Sequence, residues 1–147
     1  MITLSSAVEI PAPVEKVFAW MDQPDQLAAL NPLPTTIVES RRLPNGGWFV
    51  RMLVDDPKGK IEMVGESVEY EPPTRSVSRG LIKGRHPVTT RRLLSAIDRG
   101  TCVRVELEFR VPVRLPLIDK LYERRWRRLT QLALDGTLRR MAASFPR

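Results

Sequence analysis

The clearest pattern in the chain runs from Thr101 to Val111. Val103, Val105, Leu107, Phe109 and Val111 are apolar, and Cys102, Arg104, Glu106, Glu108 and Arg110 separate them. A period of two gives a strand one apolar face and one wet face. Trp48, Val50, Met52 and Val54 repeat the pattern, as do Ile2, Leu4, Val8 and Ile10, with the polar Ser6 as one exception. Pro44-Asn45-Gly46-Gly47, Asp55-Asp56-Pro57-Lys58-Gly59, Glu71-Pro72-Pro73-Thr74, Lys83-Gly84-Arg85-His86-Pro87 and Asp98-Arg99-Gly100 punctuate the middle of the chain. Gly permits positive φ and Pro presets φ, so these stretches are turns. Successive strands joined by short turns form an antiparallel meander.

Two regions of helical spacing bracket the strands. Val14, Val17, Phe18 and Met21 follow Pro13, which suits a first turn, and Glu15 favours the positive end of the helix. Pro24 ends that helix, and Asp25 to Leu30 provide one more short turn before Asn31-Pro32. At the other end, Pro116 can open a long helix reaching Ser144. At about 100° per residue, Leu117, Ile118, Leu121, Tyr122, Trp126, Leu129, Leu132 and Ala133 share one half of its circumference. Beyond Gly136, the apolar positions Leu134, Leu138, Met141 and Phe145 drift to another side.

The order is therefore a strand, two short helices, about six strands and one long amphipathic helix. This predicts an α+β fold with a curved seven-stranded antiparallel sheet. An apolar sheet face must be covered. Only the C-terminal helix is long enough, so the sheet is expected to wrap around it while the short helices plug one end. The 147 residues fit a single domain, 1–147. One cysteine, Cys102, excludes an internal disulfide and fits a reducing compartment. No apolar run reaches the roughly 18 residues of a membrane span. The start, Met1 to Ser6, lacks a secretory signal pattern, so a cytoplasmic protein is expected.

The formal charge of +7 is concentrated at the C-terminal end. From Arg114 to Arg147 there are nine basic residues against Asp119, Glu123 and Asp135. Such a surface is either a solvated basic face or a contact for an anionic membrane, nucleic acid or acidic partner. The strands lack the aromatic stacking pattern of RNA-binding sheets, and sequence-specific nucleic-acid binding is not expected. Arg124, Arg127 and Arg128 lie on the outer arc of the long helix, where they can meet anionic lipid.

The element order, together with particular residues, resembles the START-like superfamily (SRPBCC, the polyketide cyclase/dehydrase and lipid transport group). The matching features are Ile10-Pro11-Ala12-Pro13-Val14-Glu15-Lys16-Val17-Phe18, then Asp22 and Pro32, then Tyr70-Glu71-Pro72-Pro73-Thr74-Arg75, and finally Gly100-Thr101 at the start of a long strand. The likeness spans essentially the whole chain. It implies a helix-grip fold with a deep, largely apolar cavity between sheet and long helix. Similar domains bind lipids, quinones or hormones, or cyclise polyketide chains, so the fold alone does not select an activity.

Dedicated chemistry is sparse. His86 and Cys102 are single, so neither a metal site nor a nucleophile–base pair can be assembled, and no catalytic residue and no cofactor is expected. Glu62 and Glu66 share a strand face with Val64 and Val68. Facing inward, they would have raised pKa values and could act as acid or base. The register with Ile61 and Met63 inward, which leaves both wet, is preferred. Arg125 interrupts the apolar arc of the long helix between Leu121 and Leu129. A guanidinium left dry and unpaired is costly. It must reach the rim, pair with a carboxylate such as Glu62 or Glu66, or enter a wet cavity and hold an anionic head group.

The expected ligand-binding residues are Arg125, Tyr122, Trp126, Leu129, Phe109, Leu107 and Trp48. The expected function is binding or carriage of a small hydrophobic ligand, such as a lipid, a polyketide or an aromatic acid. The alternatives are a cyclase/dehydrase-like enzyme and an interaction module with a filled core.

Overall fold

A computed structural model describes residues 1–110 and 119–145. The elements are β1 (Ile2–Ile10), α1 (Val14–Met21), α2 (Pro24–Ala29), β2 (Thr35–Arg42), β3 (Trp48–Asp56), β4 (Gly59–Glu71), β5 (Arg75–Ile82), β6 (His86–Ile97), β7 (Gly100–Phe109) and α3 (Asp119–Ala143). The expected α+β helix-grip architecture is present. All seven strands join one antiparallel sheet in the order β1-β7-β6-β5-β4-β3-β2. The expected strand position Val111 and the expected helix start at Pro116, Leu117 and Ile118 lie outside the described residues.

The β1–β7 pairing brings the two alternating patterns into phase. Leu4 lies opposite Leu107, and Val8 lies opposite Val103. The exception, Ser6, has a partner on α3, where its hydroxyl donates to Asp135 Oδ1 at 2.6 Å. Gln131 Nε2 donates to the same oxygen at 2.9 Å and to the Ser5 carbonyl at 3.0 Å. The Ser6 hydrogen bond first, and the Gln131 one second, hold the Asp135 carboxyl below its ordinary range. These polar ties join α3 to β1 at Ser5 and Ser6.

That rotation corrects the expected covered face of the long helix. Leu134, Leu138 and Met141 are buried, while Leu121, Leu129 and Leu132 are 69%, 54% and 56% exposed and Trp126 is 41% exposed. The described large members of the arc that looks broadest on a wheel, Leu121, Trp126, Leu129 and Leu132, are thus not the stripe that packs. Amphipathicity gave the right kind of element, and its azimuth is the one that buries Leu134, Leu138 and Met141 while Asp135 and Gln131 meet β1.

The core joins Ile2, Leu4 and Ile10 to Val17, Phe18 and Met21 of α1, Val103 and Val105 of β7, and the buried α3 stripe. Each fully buried aliphatic side chain contributes about 1.5–3 kcal/mol. The Gly100-Thr101 pair locks one end of this core. Gly100 has φ +147°, and a Cβ there would overlap the Ile10 carbonyl. The fully buried Thr101 donates from Oγ1 to the Ala12 carbonyl at 2.7 Å. At the far edge, β2 is blunted by a bulge between Ile37 and Glu39 and by exposed Arg41 and Arg42.

Candidate functional site

β3 to β6 turn their inward side chains toward a cavity of about 280 Å³ that α1 and α2 close at one end; no described residue of α3 borders it, so it does not lie between the sheet and the long helix as expected. Its size is at the small end for ligand sites. The walls are mainly apolar: Phe18 and Met21 from α1, Leu27 from α2, Trp48, Val50 and Met52 from β3, Met63 from β4, and Val88 and Leu94 from β6. The period-two pattern at Trp48, Val50 and Met52 supplies one wall directly.

The cavity exists because side chains are missing from its floor. Gly65 and Gly80 face each other across β4 and β5, and both border the space. A Cβ on Gly65 would meet only the Arg79 carbonyl at 3.8 Å, whereas one on Gly80 would come within 2.5 Å of the Val64 carbonyl. Gly80 therefore permits close strand approach, while Gly65 leaves volume open.

A polar staple secures one end of the cavity. Asp22 Oδ2 accepts from the Tyr70 hydroxyl at 2.7 Å and from Arg42 Nη1 at 3.0 Å. Trp48 Nε1 donates to the Asp22 carbonyl at 2.8 Å, and the Arg42 guanidinium stacks 4.2 Å above the Trp48 ring centroid. Burial and the Asp22 carboxylate raise the Tyr70 pKa, so the hydroxyl stays a proton donor at neutral pH. The motif residues Asp22 and Tyr70 thus tie the end of α1 to β4, and Trp48 and Arg42 join them from β3 and β2.

A second polar feature lies deeper. On β6, Arg91 and Arg92 point to opposite faces of the sheet. Arg91 Nη1 donates to Glu108 Oε2 at 3.1 Å. Arg92 borders the cavity, with Ser78 Oγ accepting from its Nη1 at 3.0 Å. Among the described residues, no carboxylate lies within ion-pair distance of Arg92. Burial pulls its guanidinium below the ordinary value, with no charged neighbour contributing. Ser76, Ser78 and Thr90 share the same inward surface.

The expected binding residues divide between places. Trp48 lines the cavity. Leu107 and Phe109 are on the inward face of β7, as their alternation predicted, but they pack beside the core and do not border this space. Arg125, Trp126 and Leu129 are exposed along α3 and are not brought to it. Arg125 sits about 180° around the helix from the buried Leu134. The Tyr122 side chain lies outside the described residues. Glu62 and Glu66 are exposed, with Glu62 3.7 Å from Arg51, as the preferred register requires. No group of three or more metal-ligating side chains forms among the described residues.

Arg92 escaped sequence reasoning because β6 hides its own alternation. Thr89-Thr90, Arg91-Arg92 and Leu93-Leu94 are doublets, so either phase looks equally apolar. The pairing of Leu94 with Val103 is what selects the phase.

Comparison with known proteins agrees with this architecture. The family described as "Polyketide cyclase / dehydrase and lipid transport" matches residues 1–145. No curated protein matches the chain. A crystal structure of a Chromobacterium violaceum protein is similar at 19% identity with a TM-score of 0.75, covering 96% of this chain and 95% of that one. A Thermus thermophilus structure is similar at 16% identity and a TM-score of 0.73, covering 97% and 95%. A Deinococcus radiodurans structure is similar at 24% identity and a TM-score of 0.59, covering 91% and 100%. At these identities the likeness establishes the fold alone.

Proposed function

Because this chain belongs to the polyketide cyclase / dehydrase and lipid transport family, we propose that it binds and carries a small hydrophobic ligand between α1, α2 and strands β3 to β6. The observation that carries this reading is the open, mainly apolar cavity floored by Gly65 and Gly80. A module with a filled core has no use for such a space. A cyclase needs an acid or base aimed at the body of its substrate. Of the acidic residues bordering the cavity, Asp22 is held by Tyr70 and Arg42, and Glu66 is exposed. Carriage is therefore favoured over catalysis.

Calorimetric titration with 1-decanol and 2-naphthol tests the reading. Wild type is expected to bind at least one of them. Gly65→Leu is expected to abolish binding while remaining folded, because its Cβ meets no close atom but the rest of the side chain occupies the cavity. Equal binding by both proteins, or binding by neither, rejects this site.

Peripheral contact with anionic membrane is part of the same proposal. Arg124, Arg127 and Arg128 are exposed but line a shallow groove on the β1 side of α3, where Arg127 donates to the Thr3 carbonyl, rather than the expected outer arc; Trp126, Leu129 and Leu132 are exposed elsewhere around the helix. Basic residues attract anionic lipid, and the exposed apolar side chains can enter its interface. No described helix is long and apolar enough to cross a membrane. Co-sedimentation with phosphatidylserine-containing vesicles is expected at low salt, weakening at moderate salt. Absence of binding in both buffers removes the membrane from the proposal.

A further inference from the structure

Among the described residues, the inward-facing cation of the cavity, Arg92, has no counter-charge. Arg92 projects from β6 into mainly apolar surroundings, and its single described hydrogen bond goes to an uncharged hydroxyl, Ser78 Oγ at 3.0 Å. A guanidinium carries five N–H donors and stays protonated in proteins. Across β6, Arg91 has Glu108 as a partner, so this part of the sheet does pair an arginine that needs only structural neutralisation. The only sealed-off, unpartnered side-chain polar atom among the described residues is Arg51 Nε. The free N–H groups of Arg92 are therefore not walled in but open onto the cavity. A half-buried cation without a counter-charge is costly in proportion to its desolvation. An anion arriving from outside relieves that cost.

We infer that the cavity selects an amphipathic organic acid, whose carboxylate is held by Arg92 with Ser78 beside it and whose apolar body lies against Trp48, Val50, Met52 and Met63. This deepens the carriage reading and rests on it. The planar fork of a guanidinium matches a carboxylate with two parallel hydrogen bonds. Ser78 fixes one edge of the fork. Thr90, opposite Ser78 on β6, supplies a further hydroxyl on the same inward surface. The apolar lining then discriminates against small hydrophilic anions, which bring no body to fill it.

The test compares decanoate with 1-decanol, two ligands that share a chain and differ in the head group. Wild type is expected to prefer decanoate. Arg92→Met is expected to lose decanoate affinity by about ten- to a hundredfold while decanol affinity is unchanged. Retained decanol binding shows that the variant is folded. Its melting temperature, measured without ligand, is expected to stay level or rise, because an unneutralised charge has been removed. A second arm needs no variant. Titrating wild type from pH 7 down to about 4, where a carboxylate takes up its proton, should bring decanoate affinity down toward that of decanol. Equal loss of acid and alcohol in Arg92→Met, or no loss of the acid, overturns this inference and leaves carriage standing. A decanoate affinity indifferent to pH overturns it as well. Binding of neither ligand by wild type overturns carriage and this inference together.

Discussion

Along β1 and β7 the inward side chains meet the C-terminal half of α3, and Leu134, Leu138 and Met141 fill the space between them. Along β3 to β6 the same concave surface meets no such stripe and borders a cavity instead. The polar residues follow the division. Ser6, on the filled side, is satisfied by Asp135, a residue of the protein. Arg92, on the open side, has one neutral partner and, among the described residues, no counter-charge. One sheet thus serves two purposes: half of it anchors the long helix, and the other half retains unfilled volume and unspent hydrogen-bonding capacity.

The largest effect that would break this comparison is in the packing itself. Leu138→Ala removes a side chain that is 3% exposed and is expected to cost about 2–5 kcal/mol. Met52→Ala, in the cavity wall, should cost less than about 2 kcal/mol because its side chain already borders space. Chemical denaturation of both variants checks the difference, and equal costs would mean that the β3–β6 side is as tightly filled as the other.

A smaller contrast lies within the cavity floor. Gly80→Ala forces a methyl group toward the Val64 carbonyl and is expected to destabilise by about 1–3 kcal/mol. Gly65→Ala meets no such obstacle and should be within about 0.5 kcal/mol of wild type. A similar loss in both would contradict the separate roles of the two glycines.

The outward arginine of β6 gives a finer test. Arg91 and Glu108 are partly exposed, with side-chain accessibilities of 33% and 29%. Arg91→Met is expected to cost about 0.2–1 kcal/mol and to leave decanoate binding unaltered. A binding loss comparable to that of Arg92→Met would show that net charge, rather than position in the cavity, governs acid recognition.

The smallest effect concerns the α3 anchor. Ser6 and Gln131 depress the Asp135 pKa. A carboxylate whose folded pKa is depressed stabilises the fold above its unfolded pKa, and that contribution is lost as pH falls through the folded value. Wild type should therefore melt at a higher temperature than Ser6→Ala at neutral pH, with the gap narrowing below about pH 4. A gap independent of pH in that range would detach Ser6 from the titration of Asp135.

The element order, the antiparallel meander and the inward phase of β1, β3 and β7 were legible in the sequence because each follows from local rules. Alternation sets the faces of a strand, and Gly and Pro set its turns. The motif residues marked the right junctions, since Gly100 and Thr101 secure the Ile10–Ala12 segment and Asp22 meets Tyr70. The rotation of α3 and the phase of β6 were not legible. The helix has two apolar arcs, and the one that packs is the one that meets the core residues of β1 and β7, with Ser5 and Ser6 bonded beside it. The doublets of β6 carry no period of their own, and β7 imposes one through its register. Arg92 became the cavity cation, and Arg125 an exposed residue of α3, for that reason. Local sequence determines what each element is, whereas the direction of a single side chain depends on partners more than a hundred residues away along α3, and on a neighbouring strand along β6.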